Sequence, residues 1–227
     1  MWDNPRLLNA AAGFLFGLVV LACALAGAHW LLRSSLFPVR SIELTTPLKN
    51  ASHEAVEAAL TVEGNFFAVD VAELRARLER LPWVRRASLR RAWPDRIEVA
   101  IEEHVALARW GNEGLVNRYG ERFAGQADAK LPLFVGPPAS EGELARRYAR
   151  FSELVRPLGS PIERVVLTQR HAWQLVLANG MQIMLGRDGE AAERRLARFV
   201  AAYGAQVQAN QVVDLRYPNG FALRQRS

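Results

Sequence analysis

The run DVAELRARLERLPWVRRASLRRAWPDRIEVAIEEH, residues 70–104, changes its hydrophobic period part-way along, and that change decides the fold of its region. Asp70 and Glu73 form a cap and third-position pair, and Val71, Leu74, Leu78 and Leu81 recur at helical spacing until Pro82 stops the run. The period then becomes two. Ile97, Val99 and Ile101 point one way, while Arg96, Glu98 and Glu102 point the other. Pro94-Asp95 turns this strand back onto a preceding one over about 84–92. Trp83 and Trp93 read as core fillers beside the helix end and the hairpin. Arginines and glutamates facing each other across the hairpin add about 0.2–1 kcal/mol per pair. Alternation sends the two members of Arg85-Arg86 and of Arg90-Arg91 to opposite faces, so neither pair makes a dense basic patch.

Working outward, residues 39–44 form a short extended segment that Pro47 and Asn50 break, and Ser52 caps a helix over 53–60. The order strand, helix, helix, strand, strand over 37–104 is a small α+β module. Its helices cover one face of the sheet, which leaves the other face and a free edge open to a partner strand.

Residues 105–227 carry more strands and read as a mainly antiparallel β domain with two helices. Gly111-Asn112 and Gly120 punctuate short apolar runs. Asn179-Gly180, between QLVLA and MQIML, is the strongest hairpin signal and favours a type I′ turn with both central residues at positive φ. One helix runs from Glu141 to Leu158, ended by Pro157 and Gly159, and another from Glu190 to Tyr203, ended by Gly204. IERVVLT and VVDLRY supply strands, and FALRQ follows the Pro218-Asn219-Gly220 turn as a candidate edge.

Upstream, residues 7–32 read LLNAAAGFLFGLVVLACALAGAHWLL without a formal charge, long enough as a helix to cross a hydrocarbon core of about 30 Å. Trp2 and Trp30 suit the two interfaces. Ala24-Leu25-Ala26 has the small-x-small form of a cleavage site, but the apolar run continues past it to Leu32, which favours an uncleaved anchor. Arg6 lies on one side of the span and Arg33, Arg40 and Lys49 on the other, so charge leaves its direction open.

The formal charge of +6 comes almost wholly from arginine, since Lys49 and Lys130 are the only lysines. Interleaved carboxylates make this a solvated mixed-charge surface, against nucleic-acid binding. Cys23 is the only cysteine, so no intrachain disulfide forms. Glu102-Glu103-His104 cannot converge as an acid–base cluster, because neighbouring strand residues point to opposite faces, and it reads as a solvated strand end. Phosphate-binding glycine loops, nucleophile elbows and zinc-helix motifs do not occur in the sequence. No enzymatic activity, metal, cofactor or small-molecule substrate is expected.

GNFFAVD at 64–70, LERLPWV at 78–84 and RRAWPD at 90–95 resemble the first extracytoplasmic, POTRA-type domain of the bacterial cell-division family FtsQ/DivIB. Glu103-His104, Ala108-Arg109-Trp110, Leu115-Val116-Asn117, Gly136-Pro137, Leu185-Gly186-Arg187 and Val213-Asp214-Leu215-Arg216-Tyr217 resemble that family's β domain, in order. The resemblance implies a cytoplasmic tail at 1–6, a transmembrane helix at 7–32, a POTRA-like domain at 37–104 and a periplasmic β domain at 105–227. It also implies a single-pass inner-membrane protein concentrated at the division septum, recruiting FtsB with FtsL by sheet extension. FtsK, FtsW and FtsI follow as further partners. By the same resemblance, partner contacts fall on Arg170, Arg216, Tyr217, Asn219 and Gly220. The short tail is not expected to carry contacts with FtsZ, and Gln225-Arg226-Ser227 closes the chain where some relatives carry a tryptophan. An alternative is a POTRA-containing periplasmic chaperone or assembly factor, though such proteins repeat the module and lead into a barrel.

Overall fold

A computed structural model describes residues 5–33, 37–62, 65–127, 130–203, 206, 209–217 and 220–225, with the backbone alone at 5–8 and 31–33. Expectations placed on Trp2, Gly64, Gly204, Pro218, Asn219, Arg226 and Ser227 lie outside these residues. The chain divides into two units, Met1–Glu103 and His104–Ser227.

The first unit opens with α1 (Pro5–Arg33), whose stretch Asn9–Trp30 has a mean hydropathy of 2.3 and is nowhere buried by protein. Its 22 residues rise about 33 Å, enough to cross a bilayer core. A helix apolar on every side, and packed on nothing among the described residues, is suited to a non-aqueous solvent.

After it come β1 (Ser41–Leu44), α2 (His53–Ala59), α3 (Val71–Leu78), β2 (Val84–Ala92) and β3 (Arg96–Glu103). The sheet order is β1-β3-β2, with β1 parallel and β2 antiparallel to β3. Ser52 Oγ accepts from Ala55 N at 3.3 Å, and Asp70 Oδ1 from Ala72 N at 2.9 Å, so both helices start where their caps predict. α3 is shorter than its periodicity suggests. It ends at Leu78, and Leu81 opens a turn through Pro82 and Trp83, the latter at φ 69, closed by Val84 N donating to Leu81 O at 3.2 Å. Val56, Leu74 and Leu78 from the helices meet Val84, Ala87, Ile97, Val99 and Ile101 from the sheet in one core.

Trp83 packs against this core, but Trp93 does not fill it, being 79% exposed. It sits in the tight connection between β2 and β3, past Ala92 opposite Arg96, the last residue pair of the hairpin. On the open face Arg90 pairs with Glu98 across the hairpin. A bulge between Val84 and Arg86 lets Arg85, rather than Arg86, reach Glu102 at 2.8 Å. Arg91 takes the opposite face and donates to the carbonyls of Phe66 at 3.2 Å and Val69 at 2.7 Å.

The end of β3 is not a freely solvated strand end. Glu103 Oε1 accepts from the backbone N–H groups of Lys49, Asn50 and Ala51 at 2.9–3.1 Å, tying the loop before α2 to β3. Burial disfavours its charge, but these three donors outweigh it and hold the carboxyl below its ordinary value of 4.5. Because the folded-state value is depressed, this stabilisation is present above the ordinary value and is lost as pH falls through the folded one. Glu103→Gln should therefore cost about 1–2 kcal/mol near neutral pH. Urea unfolding should show the gap from the parent chain narrowing only as pH falls below the ordinary carboxyl value of 4.5; a gap independent of pH would contradict the charged clamp.

The second unit holds β4 (Ala106–Trp110), β5 (Leu115–Asn117), β6 (Arg122–Phe123), β7 (Leu133–Val135), α4 (Glu141–Val155), β8 (Ile162–Leu167), β9 (Trp173–Leu177), β10 (Gln182–Gly186), α5 (Gly189–Tyr203), β11 (Gln211–Asp214) and β12 (Ala222–Gln225). They form one mostly antiparallel sheet in the order β12-β11-β10-β9-β8-β7-β4-β5-β6. Three neighbouring pairs are parallel, and each needs a crossover: β7–β8 and β10–β11 are connected through α4 and α5, and β4–β7 through the short strands β5 and β6. Both helices bury apolar stripes on the sheet: Leu144, Phe151 and Val155 from α4, Ala192, Leu196 and Phe199 from α5. After Val155 the chain tightens into a 3-10 turn, Arg156–Leu158, carrying Pro157 and ending on Gly159 at φ 68.

The hairpin between β9 and β10 is present, but its turn is not type I′. Gly180 N donates to Leu177 O at 2.9 Å, which places Ala178 and Asn179 at the turn's centre, and of the three only Gly180, at φ 82, is left-handed. Asn179 instead uses its Oδ1 to accept from Met181 N at 3.1 Å. His104, 8% exposed, is buried rather than solvated: its ring stacks on Phe123 at 4.2 Å and meets Asn117 Nδ2 at 2.9 Å.

Candidate partner-binding edge

β12 ends the nine-stranded sheet, and all four of its residues are exposed. It pairs antiparallel with β11, Val212 opposite Arg224, Val213 opposite Leu223 and Asp214 opposite Ala222. Among the described residues no strand pairs with its outer side. Which residues point outward follows from the next strand in. Leu215 N donates to Met184 O at 2.8 Å, so Val213 and Leu215 direct their main-chain groups at β10. A strand residue's N–H and C=O point the same way and alternate along the chain, so Val212 and Asp214 face β12. Their partners Arg224 and Ala222 face back. Leu223 and Gln225 therefore turn N–H and C=O to the open side. β12 is held on the body partly by Phe221, whose ring meets Phe199 at 5.2 Å and Tyr203 at 5.8 Å on α5.

Polar groups gather at the end of the sheet where β12 begins. Arg170 lies in the turn between β8 and β9, Arg187 follows β10 and Arg216 follows β11, and all three line one open depression with Thr168, Gln169, Ala172 and Gly186. Arg216 is held in a fork by Asp214, its Nε at 2.8 Å and 3.0 Å from the two carboxylate oxygens. That guanidinium, with the backbone N–H of Arg216, outweighs burial and keeps the Asp214 carboxyl below its ordinary range. The salt bridge fixes the guanidinium's orientation at the rim, while Arg170 and Arg187 remain exposed.

Of the residues the sequence singles out, the structure brings Arg170 and Arg216 together. Tyr217, which follows Arg216 in sequence, is 55% exposed instead of packing as a half-buried strand aromatic. Gly220 is exposed with open space where a side chain would be, and Asn219 lies outside the described residues. Sequence reasoning misses Arg187 as a third cation and Leu223 as an outward-facing residue. A signal for Arg187 exists in Gly186: its φ of 85, next to an irregular pairing with β9, carries the chain out of the strand there. No pattern in the residues themselves fixes the register that turns Leu223 outward.

Two family models match this chain. The POTRA domain, FtsQ-type, matches residues 37–104, and the cell division protein FtsQ/DivIB C-terminal domain matches residues 108–216. Proteins described as cell division protein FtsQ are similar along nearly the whole chain. The one from Burkholderia pseudomallei is 40% identical over 99% of this chain and 94% of its own length. That of Nitrosospira multiformis is 39% identical over 99% of each chain, and that of Neisseria gonorrhoeae 31% identical over 99% of this chain and 95% of its own.

Proposed function

The chain belongs to the FtsQ family of bacterial cell-division proteins, and from that membership we propose a non-catalytic scaffold of the divisome whose β domain receives a strand of FtsB, in complex with FtsL, along β12. The observation that carries this reading is the open edge itself, with Leu223 and Gln225 turned outward in an exposed strand. Main-chain pairing supplies affinity in strand addition, and flanking side chains supply selectivity. Here those are Tyr217, a large amphipathic anchor, and the Arg170, Arg187 and Arg216 depression, suited to acidic side chains on the incoming segment.

In this reading α1 crosses the inner membrane once and both folded units lie in the periplasm. The POTRA unit helps place the protein at the septum, where it links early and late division proteins, FtsK on one side and FtsW and FtsI on the other. Purification of the full chain from membranes of dividing cells tests it: FtsB and FtsL should come with it in defined amounts. A spread of unfolded clients, or no stable partner, would contradict it. A periplasm-active reporter fused after Ser227 should be active, and activity of only a cytoplasm-active reporter would reverse the orientation.

A further inference from the structure

The exposed tryptophan of the first unit belongs to a particular end of that unit. β1 runs parallel to β3 with Ser41 opposite Arg96, and Arg40 N donates to Asp95 O at 2.9 Å, so the tip of the β2–β3 connection lies beside the start of β1. Phe66 N donates to Phe37 O at 2.8 Å, and Pro38 bridges Asn65, which brings a second loop to that same start. Phe37 and Phe67 meet there edge-on at 5.4 Å. This end therefore carries Phe37, Phe67, which is 42% exposed, and Trp93, which is 79% exposed. It is also the end nearest α1 along the chain: three residues separate Arg33 from Phe37, so the gap between their Cα atoms spans at most about 14 Å.

We propose that this end of the POTRA unit docks on the bilayer that α1 spans, seating Trp93 and Phe67 at the boundary between headgroups and acyl chains. Two large aromatic side chains held at a bilayer surface by a short tether meet the environment that tryptophan prefers among membrane depths. The cations around them do not call for anionic lipid. Arg90 pairs with Glu98, Arg96 with Glu43 at 3.2 Å and Arg40 with Asp95 at 3.6 Å, while Arg91 is spent on backbone carbonyls. Docking is thus driven by aromatic insertion and is indifferent to lipid charge. It restricts the tilt of the POTRA unit against the membrane and leaves the far end of β3, at Glu103, directed away from it.

The inference rests on α1 spanning a bilayer, and the experiment separates the two. The full chain is placed in nanodiscs of phosphatidylcholine alone or with phosphatidylglycerol, with an environment-sensitive fluorophore at one cysteine. The label sits at native Cys23, at Trp93→Cys in a Cys23→Ser background, or at Lys49→Cys in that background as a site at the unit's other end. Quenching of the Cys23 label by deep nitroxide lipids reports the span alone. The label at 93 should shift to the blue and be quenched by shallow nitroxide lipids at least about twofold more than the label at 49, equally in both lipid mixtures. Phe67→Lys in the chain labelled at 93 should reduce that quenching. A label at 93 as solvated as that at 49, with Cys23 still quenched, would overturn the docking and leave this surface for a protein. A response seen only with phosphatidylglycerol would overturn its aromatic origin.

Discussion

Leu223→Pro is expected to weaken FtsB capture by about tenfold or more while leaving the β domain folded. Leu223 turns its N–H to the open side, so proline removes one main-chain donor that an incoming strand would use and puts a ring in its path. Pairing with β11 runs through Ala222 and Arg224 and is untouched, and an edge strand is where proline is tolerated. Arg224→Pro is the informative contrast, because it breaks a bond to β11 and should detach β12 as well. Tyr217→Ala should cost the complex about 2 kcal/mol, roughly thirtyfold, if this exposed ring is the anchor. Titration of the FtsB periplasmic segment against the full chain in nanodiscs reads both. Parent-like affinity in Leu223→Pro would place the incoming strand elsewhere.

Trp173→Ala should be the most damaging single change to the β domain, costing about 3–5 kcal/mol. Trp173 is 1% exposed at the start of β9, with its ring edge-on to Phe151 of α4 at 5.5 Å. Truncation removes the largest fully buried side chain and leaves a cavity between a central strand and a crossover helix. Trp173→Phe keeps part of the aromatic contact and should cost clearly less. Urea unfolding of each variant checks the order, and a loss below about 1 kcal/mol for alanine would mean that the site collapses around the smaller side chain.

The first unit was largely legible from its residues because its signals are local. Asp70 caps what it should cap, Ile97, Val99 and Ile101 face the core, and Arg90 and Arg91 part to opposite faces. Composition misleads at Trp93, since an aromatic residue next to a turn looks like core until the hairpin's register places it past the last paired residues. Asn179-Gly180 misleads in a smaller way: the dipeptide marks the hairpin, but Ala178 joins the turn and leaves only the glycine left-handed. Glu103 was hidden because its three donors come from a loop about fifty residues upstream.

The β domain was less legible where it concerns function. Strands, helices and the terminal edge can be read from valine runs and glycine breaks, but the order that sets β11 beside β10 in parallel depends on α5 crossing over. The convergence of Arg170, Arg187 and Arg216 on one depression depends on that order. Residue pattern alone gives candidates for partner contact; register decides which main-chain groups are offered.

Amide exchange at β12, measured with residue resolution on the full chain in nanodiscs before and after addition of the FtsB–FtsL complex, tests the central claim most directly. Ala222 and Arg224, already bonded to β11, should be protected in both states, and Leu223 and Gln225 should become protected only when the partner is bound. Binding with Leu223 and Gln225 still exchanging freely would contradict strand addition at this edge.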